Sequence, residues 1–315
     1  MIHANSPFHA DDVPLDLTVR VGLEFVYEST APTPLFLLIK PRLDTVQYIE
    51  KEQLSFNPHL CSLEYEDLHG NIVHRVTLPK GTTTIRHDAF VSVPSLPENN
   101  GAVDEPVPVE QLSANLLRYT LPSRYCDSDR LLDFAFQKFG TIPQGLQRVQ
   151  AICDWVHENV EYRFGTGSPN RTAWETIGQR YGVCRDFAHA AIALCRTFNI
   201  PSRYVTGYVP DIGYLDPGSP MDFHAYFQVY VAHRWHTFDA RFNVPRIGRI
   251  KIACGLDAVD GAFATVYGAA QLVHFDVWAY QVDPKEVDLK DPVDLSKRLD
   301  GTPELRYPPR LPAQA

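Results

Sequence analysis

The sequence predicts an α+β protein in two parts: an N-terminal antiparallel β-sandwich over residues 14–95, then an α+β domain over residues 111–285. Three observations predict it. Apolar residues alternate with others through the N-terminal part, the period changes to three or four residues after a proline-rich break, and alternation returns after a long apolar helix. The 315 residues, 44% of them hydrophobic, suffice for a large core without covalent staples.

From Leu17 to Phe25 every second residue is apolar (Leu17, Val19, Val21, Leu23, Phe25), the pattern of a half-buried strand. Similar runs lie at 35–39, 46–49, 63–65, 72–78 and 84–93. The turn cluster Asp67-Leu68-His69-Gly70-Asn71 falls between the fourth and fifth of these six. Short strands with turn signals and no helical period read as an antiparallel sandwich or barrel. Pro94 to Pro108 carries four prolines and Asn99-Asn100-Gly101, and residues 96–110 read as a linker.

Beyond it, Asp127 or Ser128 can cap a helix through Phe139, with Gly140 placed to end it. Leu146, Val149, Cys153, Val156 and Val160 mark a second helix, and Thr172-Ala173-Trp174-Glu175 fits a capping box opening a third. A fourth, from Cys184 to Phe198, is apolar over most of its circumference and is expected at the centre of the domain. Strands return at 203–209, 224–231, 235–240, 249–253 and 274–282. Residues 286–315, rich in proline and charge, read as a loosely packed tail.

Twenty-nine Lys and Arg against 38 Asp and Glu give a formal charge of −9, without a basic cluster, which argues against nucleic acid as a partner. No apolar run approaches the roughly 18–20 residues a membrane crossing needs. Residues 1–12 lack the basic start and apolar stretch of a secretory signal, so a cytoplasmic location with reduced thiols is expected. The six cysteines, at 61, 126, 153, 184, 195 and 254, form no C-x-x-C pair. No nucleotide-binding or serine-nucleophile signature occurs, and neither cofactor nor metal is implied.

The chemistry gathers in Gly182-Val183-Cys184-Arg185-Asp186-Phe187, where a glycine-permitted turn sets Cys184 at a helix start. Unpaired N–H groups and the helix dipole there favour a thiolate. A thiolate needs a base, and the base an orienting group. Asp222-Phe223-His224-Ala225-Tyr226-Phe227-Gln228-Val229-Tyr230-Val231, followed by Trp235-His236-Thr237-Phe238-Asp239, reads as a hairpin. A turn centred on Val231-Ala232 sets His224 opposite Asp239, Tyr226 opposite Thr237 and Gln228 opposite Trp235, with Ala225, Phe227, Val229 and Phe238 on the core face. Cys184, His224 and Asp239 are therefore the candidate catalytic residues.

These motifs, with Trp-His-Thr-Phe-Asp-Ala-Arg closing the set, resemble the bacterial transglutaminase-like superfamily, whose core is similar to papain-like cysteine proteases. The resemblance extends over roughly residues 110–285 and implies a Cys184–His224–Asp239 triad; the strand-rich region ahead of it also resembles the β-domain that precedes this core in many bacterial members. In one respect the chain departs from the animal crosslinking enzymes: where they have an Asp-Pro type sequence, it reads Asp239-Ala240-Arg241-Phe242-Asn243. The implied reaction is thiol-dependent acyl transfer at an amide or ester carbonyl, with a peptide or protein substrate and water or an amine as acceptor. The backbone N–H of Cys184 is the first expected oxyanion donor, with Trp174 N–H and Gln228 as candidates for the second.

Other readings compete. A non-catalytic peptide-binding module could retain the same fold. His233, His236 and Asp239 could be read as metal ligands, but strand alternation sends 233 and 236 to opposite faces. His157-Glu158-Asn159-Val160-Glu161 has Glu161 where a zinc-protease helix has its second histidine. His189, on the helix of Cys184, points about 140° away from it at roughly 100° per residue and reads as structural.

Overall fold

The computed structural model describes residues 13–98, 104–214 and 221–300. Residues 1–12, the middle of the expected linker at 99–103, and the end of the expected tail at 301–315 lie outside the described residues. The chain runs β1 (Leu17–Ser29), β2 (Thr33–Leu37), β3 (Tyr48–Asn57), β4 (Leu63–Glu66), β5 (Ile72–Leu78) and β6 (Gly81–Val93). There follow α1 (Ala114–Leu117), α2 (Leu132–Phe139), α3 (Leu146–Asn159), β7 (Glu161–Tyr162), α4 (Ala173–Gln179), β8 (Tyr181–Gly182) and α5 (Cys184–Arg196). Last come β9 (Ser202–Tyr208), β10 (His224–Val231), β11 (Arg234–Phe238), β12 (Ile250–Gly255), β13 (Ala264–Val266) and β14 (Ala270–Gln281).

Two antiparallel sheets, ordered β14-β1-β6-β3 and β13-β2-β5-β4, face each other across Val19, Val21, Leu23, Phe25, Leu35, Leu37, Val76 and Ile85. This is the expected sandwich, and the architecture is α+β. Its C-terminal strands correct the expected division at residue 95. β14 pairs with β1 from Val19↔Gln281 to Ser29↔Ala270, and β13 pairs with β2, so 264–281 complete the sandwich instead of the second domain. Alternation announces a strand but not its partner, and β1 has an open edge that only this late segment fills. β3 also runs beyond its apolar start, because its middle is an exposed stretch whose polar residues carry no burial signal.

The third sheet, ordered β11-β10-β9-β12, carries α5 on one face. Ala188, Ala190, Ala191, Ile192 and Leu194 meet Ala225, Phe227 and Val229 in a core that α2, α3 and α4 close. The other face is not solvent: Tyr208, Phe223, Ile250 and Ile252 belong to the same apolar cluster as the sandwich residues Val21, Leu23 and Phe25. The sandwich and the third sheet therefore share one apolar cluster, while α5 packs in a second.

The expected linker is a strap. Asp104 accepts the N–H groups of Leu146 and Gln147 at the start of α3, Glu105 O accepts Ala232 N–H (2.8 Å), and Glu98 reaches the β12 approach. The described part of the tail is packed as well. Val287 is buried against Phe90, Trp278 and Tyr280, and Arg20 donates to the carbonyls of Asp291 (2.7 Å) and Pro292 (3.3 Å). Both segments are proline- and charge-rich, yet they supply caps and acceptors that buried groups elsewhere require. Among helices, α4 shows the expected capping box, Thr172 N–H donating to Glu175 Oε2 (2.9 Å) and Glu175 N–H to Thr172 Oγ1 (3.4 Å). α2 starts later than expected because Ser128–Arg130 form a separate 3₁₀ turn and Asp127 caps α4 instead, accepting Trp174 N–H (3.0 Å). No described helix is long and apolar enough to cross a membrane.

A shared core predicts a single cooperative thermal transition in calorimetry, with van't Hoff and calorimetric enthalpies equal. Two resolved transitions, one for each part, would contradict the shared cluster.

Candidate active site

Cys184 is the first residue of α5, and its placement depends on the turn before it. Gly182 lies where a Cβ would meet Asp186 Cβ at 2.6 Å and Oδ2 at 2.7 Å, so the glycine is required for close approach. Asp186, fully buried, accepts Val183 N–H (3.0 Å) and is paired with Arg171 (3.0 Å) and Arg185 (3.2 Å). This network anchors the helix start. Cys184 is half-buried, whereas Cys126, Cys153, Cys195 and Cys254 are buried and Cys61 is exposed.

The hairpin carries the other two candidates. Ala232 and His233 adopt φ of 49° and 60°, a two-residue turn of the kind whose twist matches a hairpin, and the pairing is Phe227↔Phe238, Gln228↔Thr237 and Tyr230↔Trp235. The expected turn, centred on Val231-Ala232, is therefore one residue early, and each partner shifts by two. A shift of two preserves the face. Asp239, just past the end of β11, lies on the diagonal from His224 instead of directly opposite, and its Oδ2 accepts from His224 Nε2 at 2.7 Å. That bond leaves Nδ1 as the imidazole nitrogen free to exchange a proton. α5 packs on β10, and the sulfur lies beside Ala225 N–H, the next residue after His224. The structure thus brings the helix-start thiol, the imidazole and the carboxylate to one end of α5 and β10.

Sequence reasoning missed how Asp239 is held. Its Oδ1 accepts Arg241 N–H (3.0 Å) and Phe242 N–H (3.2 Å), and its Oδ2 also accepts Arg249 Nη2 (2.8 Å). Arg249 is buried just ahead of β12, donates Nε to Glu98 (2.7 Å) and packs over the Tyr226 ring at 4.5 Å. His157 holds the same segment, donating Nδ1 to Arg241 O (2.8 Å). The available signal was Arg249, a cation at the start of an alternating strand; Glu98 gave none.

Burial would raise the Asp239 carboxyl, but the His224 and Arg249 charges and hydrogen bonds outweigh it and hold it far below the usual carboxylate range. Burial lowers the His224 imidazole; Asp239 pulls it back up, while Arg249 and Arg241 push it down again. The Cys184 thiol is raised, chiefly by burial, with Ala225 N–H and the Arg241 charge opposing and Asp222 and Asp239 adding to the rise. Burial thus shifts both the thiol and the imidazole toward their uncharged forms, and desolvation of the sulfur opposes the thiolate that the helix start favours.

The other sequence candidates are occupied elsewhere. Gln228 Oε1 accepts from Arg203 and its Nε2 donates to Thr237 Oγ1 (3.0 Å), and the Trp174 backbone N–H serves Asp127, so both are structural. His236 donates to Val231 O (3.1 Å) from the core face, and His233 sits in the turn. Among the described residues no three His, Cys, Asp or Glu side chains are grouped to hold a metal. His189 is fully buried between Tyr125 and Tyr204, its Nε2 accepting Ala258 N–H (3.1 Å).

Residues 132–240, which contain all three candidates, match the family model described as the transglutaminase-like superfamily. A solved structure from Cytophaga hutchinsonii, described as a candidate cysteine protease, is 34% identical, covering 85% of this chain and 91% of its own, with a TM-score of 0.77. The chain belongs to the transglutaminase-like superfamily. A further relative, the uncharacterized protein ML0607 of Mycobacterium leprae, is 24% identical over 248 residues, 76% of this chain and 88% of that protein. Family and fold together make this transglutaminase-like protein a cysteine enzyme of papain-like type.

Arg249→Met would leave Asp239 and Glu98 as buried or half-buried carboxylates without their cation. The expected loss is about 3–5 kcal/mol in denaturant unfolding. Acid sensitivity follows from the histidines: burial lowers His189 and His224 from the ordinary value of 6.5. The unfolded chain then binds more protons below that pH, and stability should fall progressively as pH drops from about 6.5, well before carboxylates titrate. Tm measured from pH 8 to pH 5 checks this; a flat profile would contradict the buried neutral imidazoles.

Proposed function

We propose that this protein catalyses thiol-dependent acyl transfer on a peptide or protein amide, with Cys184 as nucleophile, His224 as general base and Asp239 as the group that fixes the imidazole. The observation that carries the reading is the buried 2.7 Å His224 Nε2–Asp239 Oδ2 bond at the strand position next to the sulfur. It fixes the tautomer: Nε2 carries the proton donated to Asp239, and Nδ1 keeps a lone pair. As Sγ attacks the carbonyl carbon, Nδ1 takes the thiol proton and the C–O π pair moves onto oxygen. Collapse breaks the C–N bond, the imidazolium protonates the leaving amine, and a thioester remains.

Water then yields the acid and an amine acceptor yields a new amide, in each case regenerating the thiol. The Cys184 backbone N–H, at the start of α5, is placed to donate to the oxyanion. Burial favours the uncharged thiol and imidazole, so proton transfer accompanies attack, and the lowered imidazole keeps His224 competent as a base below pH 6.5.

The test measures iodoacetamide alkylation of Cys184 by mass spectrometry, together with ammonia release and amine incorporation on a peptide library. Cys184→Ala should abolish turnover, and His224→Ala should slow it by about 10²–10⁴-fold. An alkylation rate at Cys184 unchanged in His224→Ala, with no turnover dependent on Cys184, would leave a peptide-binding module as the reading. Ammonia without amine incorporation assigns hydrolysis.

A further inference from the structure

The segment after Asp239 presents a cation that, among the described residues, no carboxylate bonds. Arg241 is half-buried, and its main chain is pinned on both sides: its N–H donates to Asp239 Oδ1 (3.0 Å) and its carbonyl accepts from His157 (2.8 Å). Its guanidinium stacks on the Tyr162 ring, with Cζ 3.5 Å from the centroid, and lies 4.8 Å from the Phe242 centroid. Phe242 in turn packs 4.9 Å from the His224 imidazole. Two aromatic rings therefore fix the guanidinium beside the base, at the mouth where β7, the start of β10 and the Asp239 segment converge.

The other arginines of this region are spoken for. Arg249 is paired with Asp239 and Glu98, Arg246 with Asp211, and Arg171 and Arg185 with Asp186. Among the described residues, no carboxylate bonds the Arg241 guanidinium. Asp222, exposed at the entrance to β10, shares the mouth, but its Oδ1 accepts Phe223 N–H (2.7 Å). The Arg241 charge reaches the sulfur, the imidazole and Asp222 alike, which agrees with its place at the mouth.

A planar cation held flat by aromatic stacking keeps its five N–H donors pre-arranged in the plane, the geometry that takes a carboxylate in a two-pronged bond. We propose that Arg241 receives a substrate carboxylate next to the scissile carbonyl, so that the site prefers acyl donors with an acidic group at that position. This rests on the acyl-transfer reading and names its substrate class. The carboxylate can be an Asp or Glu side chain within a peptide or a free α-carboxylate at its end. Both present the same fork to the guanidinium. The chain's overall charge of −9 makes one unpaired cation at the mouth a selective feature, since the long-range field does not draw anions there.

The experiment compares alkylation of Cys184 by anionic iodoacetate and neutral iodoacetamide, with Cys61 in the same protein as the internal reference. The iodoacetate-to-iodoacetamide rate ratio should be about tenfold higher at Cys184, the factor of one charge contact. It should fall to the Cys61 value in Arg241→Gln and to an intermediate value in Arg241→Lys, which keeps the charge but not the fork. Equal ratios at the two cysteines, or a ratio indifferent to Arg241→Gln, overturn the proposal. Inertness of Cys184 to both reagents defeats the thiol-enzyme reading and this one together, whereas reactivity without anion preference defeats this one alone. Peptide amides bearing the acid as side chain or as terminus then separate the two sources, and a neutral peptide turned over as fast as both would also refute it.

Discussion

The site depends on one buried carboxylate. Asp239 receives an imidazole N–H, a guanidinium N–H and two backbone N–H groups, so its charge is fully met although its side chain is 2% exposed. An ionised carboxylate so far from water is tolerated only when paired and hydrogen-bonded. The donors come from the start of β10, the turn after Asp239 and the approach to β12, so assembling this charge assembles the site. His224 gains its tautomer, Arg249 gains its place between Asp239 and Glu98, and the turn after Asp239 gains the direction that carries Arg241 and Phe242 to the mouth.

Through Glu98 the assembly reaches the strap between sandwich and core. Glu98 also accepts Arg246 N–H (3.1 Å), and its own N–H donates to Arg246 O (3.2 Å), so the strap is stitched to the strand approach that supplies Arg249. Phe223, one residue before His224, packs on Phe25, Phe263 and Phe275 of the sandwich with ring centroids 5.5–6.3 Å apart. The β-domain therefore forms the rear wall on which β10 rests, and the packing that stabilises it also fixes where His224 begins.

The thiol is governed by opposing effects. Helix start, Ala225 N–H and Arg241 favour the anion, while enclosure of the sulfur and two nearby carboxylates disfavour it. The net direction is upward, with enclosure of the sulfur the largest cause.

The sequence by itself determined the local grammar: the sandwich strands, the α4 capping box, the buried α5, and the presence of Cys184, His224 and Asp239 in elements that could meet. Strand parity survived even an error of register, because a two-residue slip returns every side chain to its own face, and so the His224–Asp239 pair was legible. What the sequence did not carry was everything set by distance along the chain. The pairing of β14 with β1, the seating of Glu98 and Arg249 behind Asp239, and the desolvation that raises the Cys184 thiol were decided only by tertiary structure. Periodicity records which face of an element is buried; it holds no record of which remote segment covers that face or which charge is buried with it.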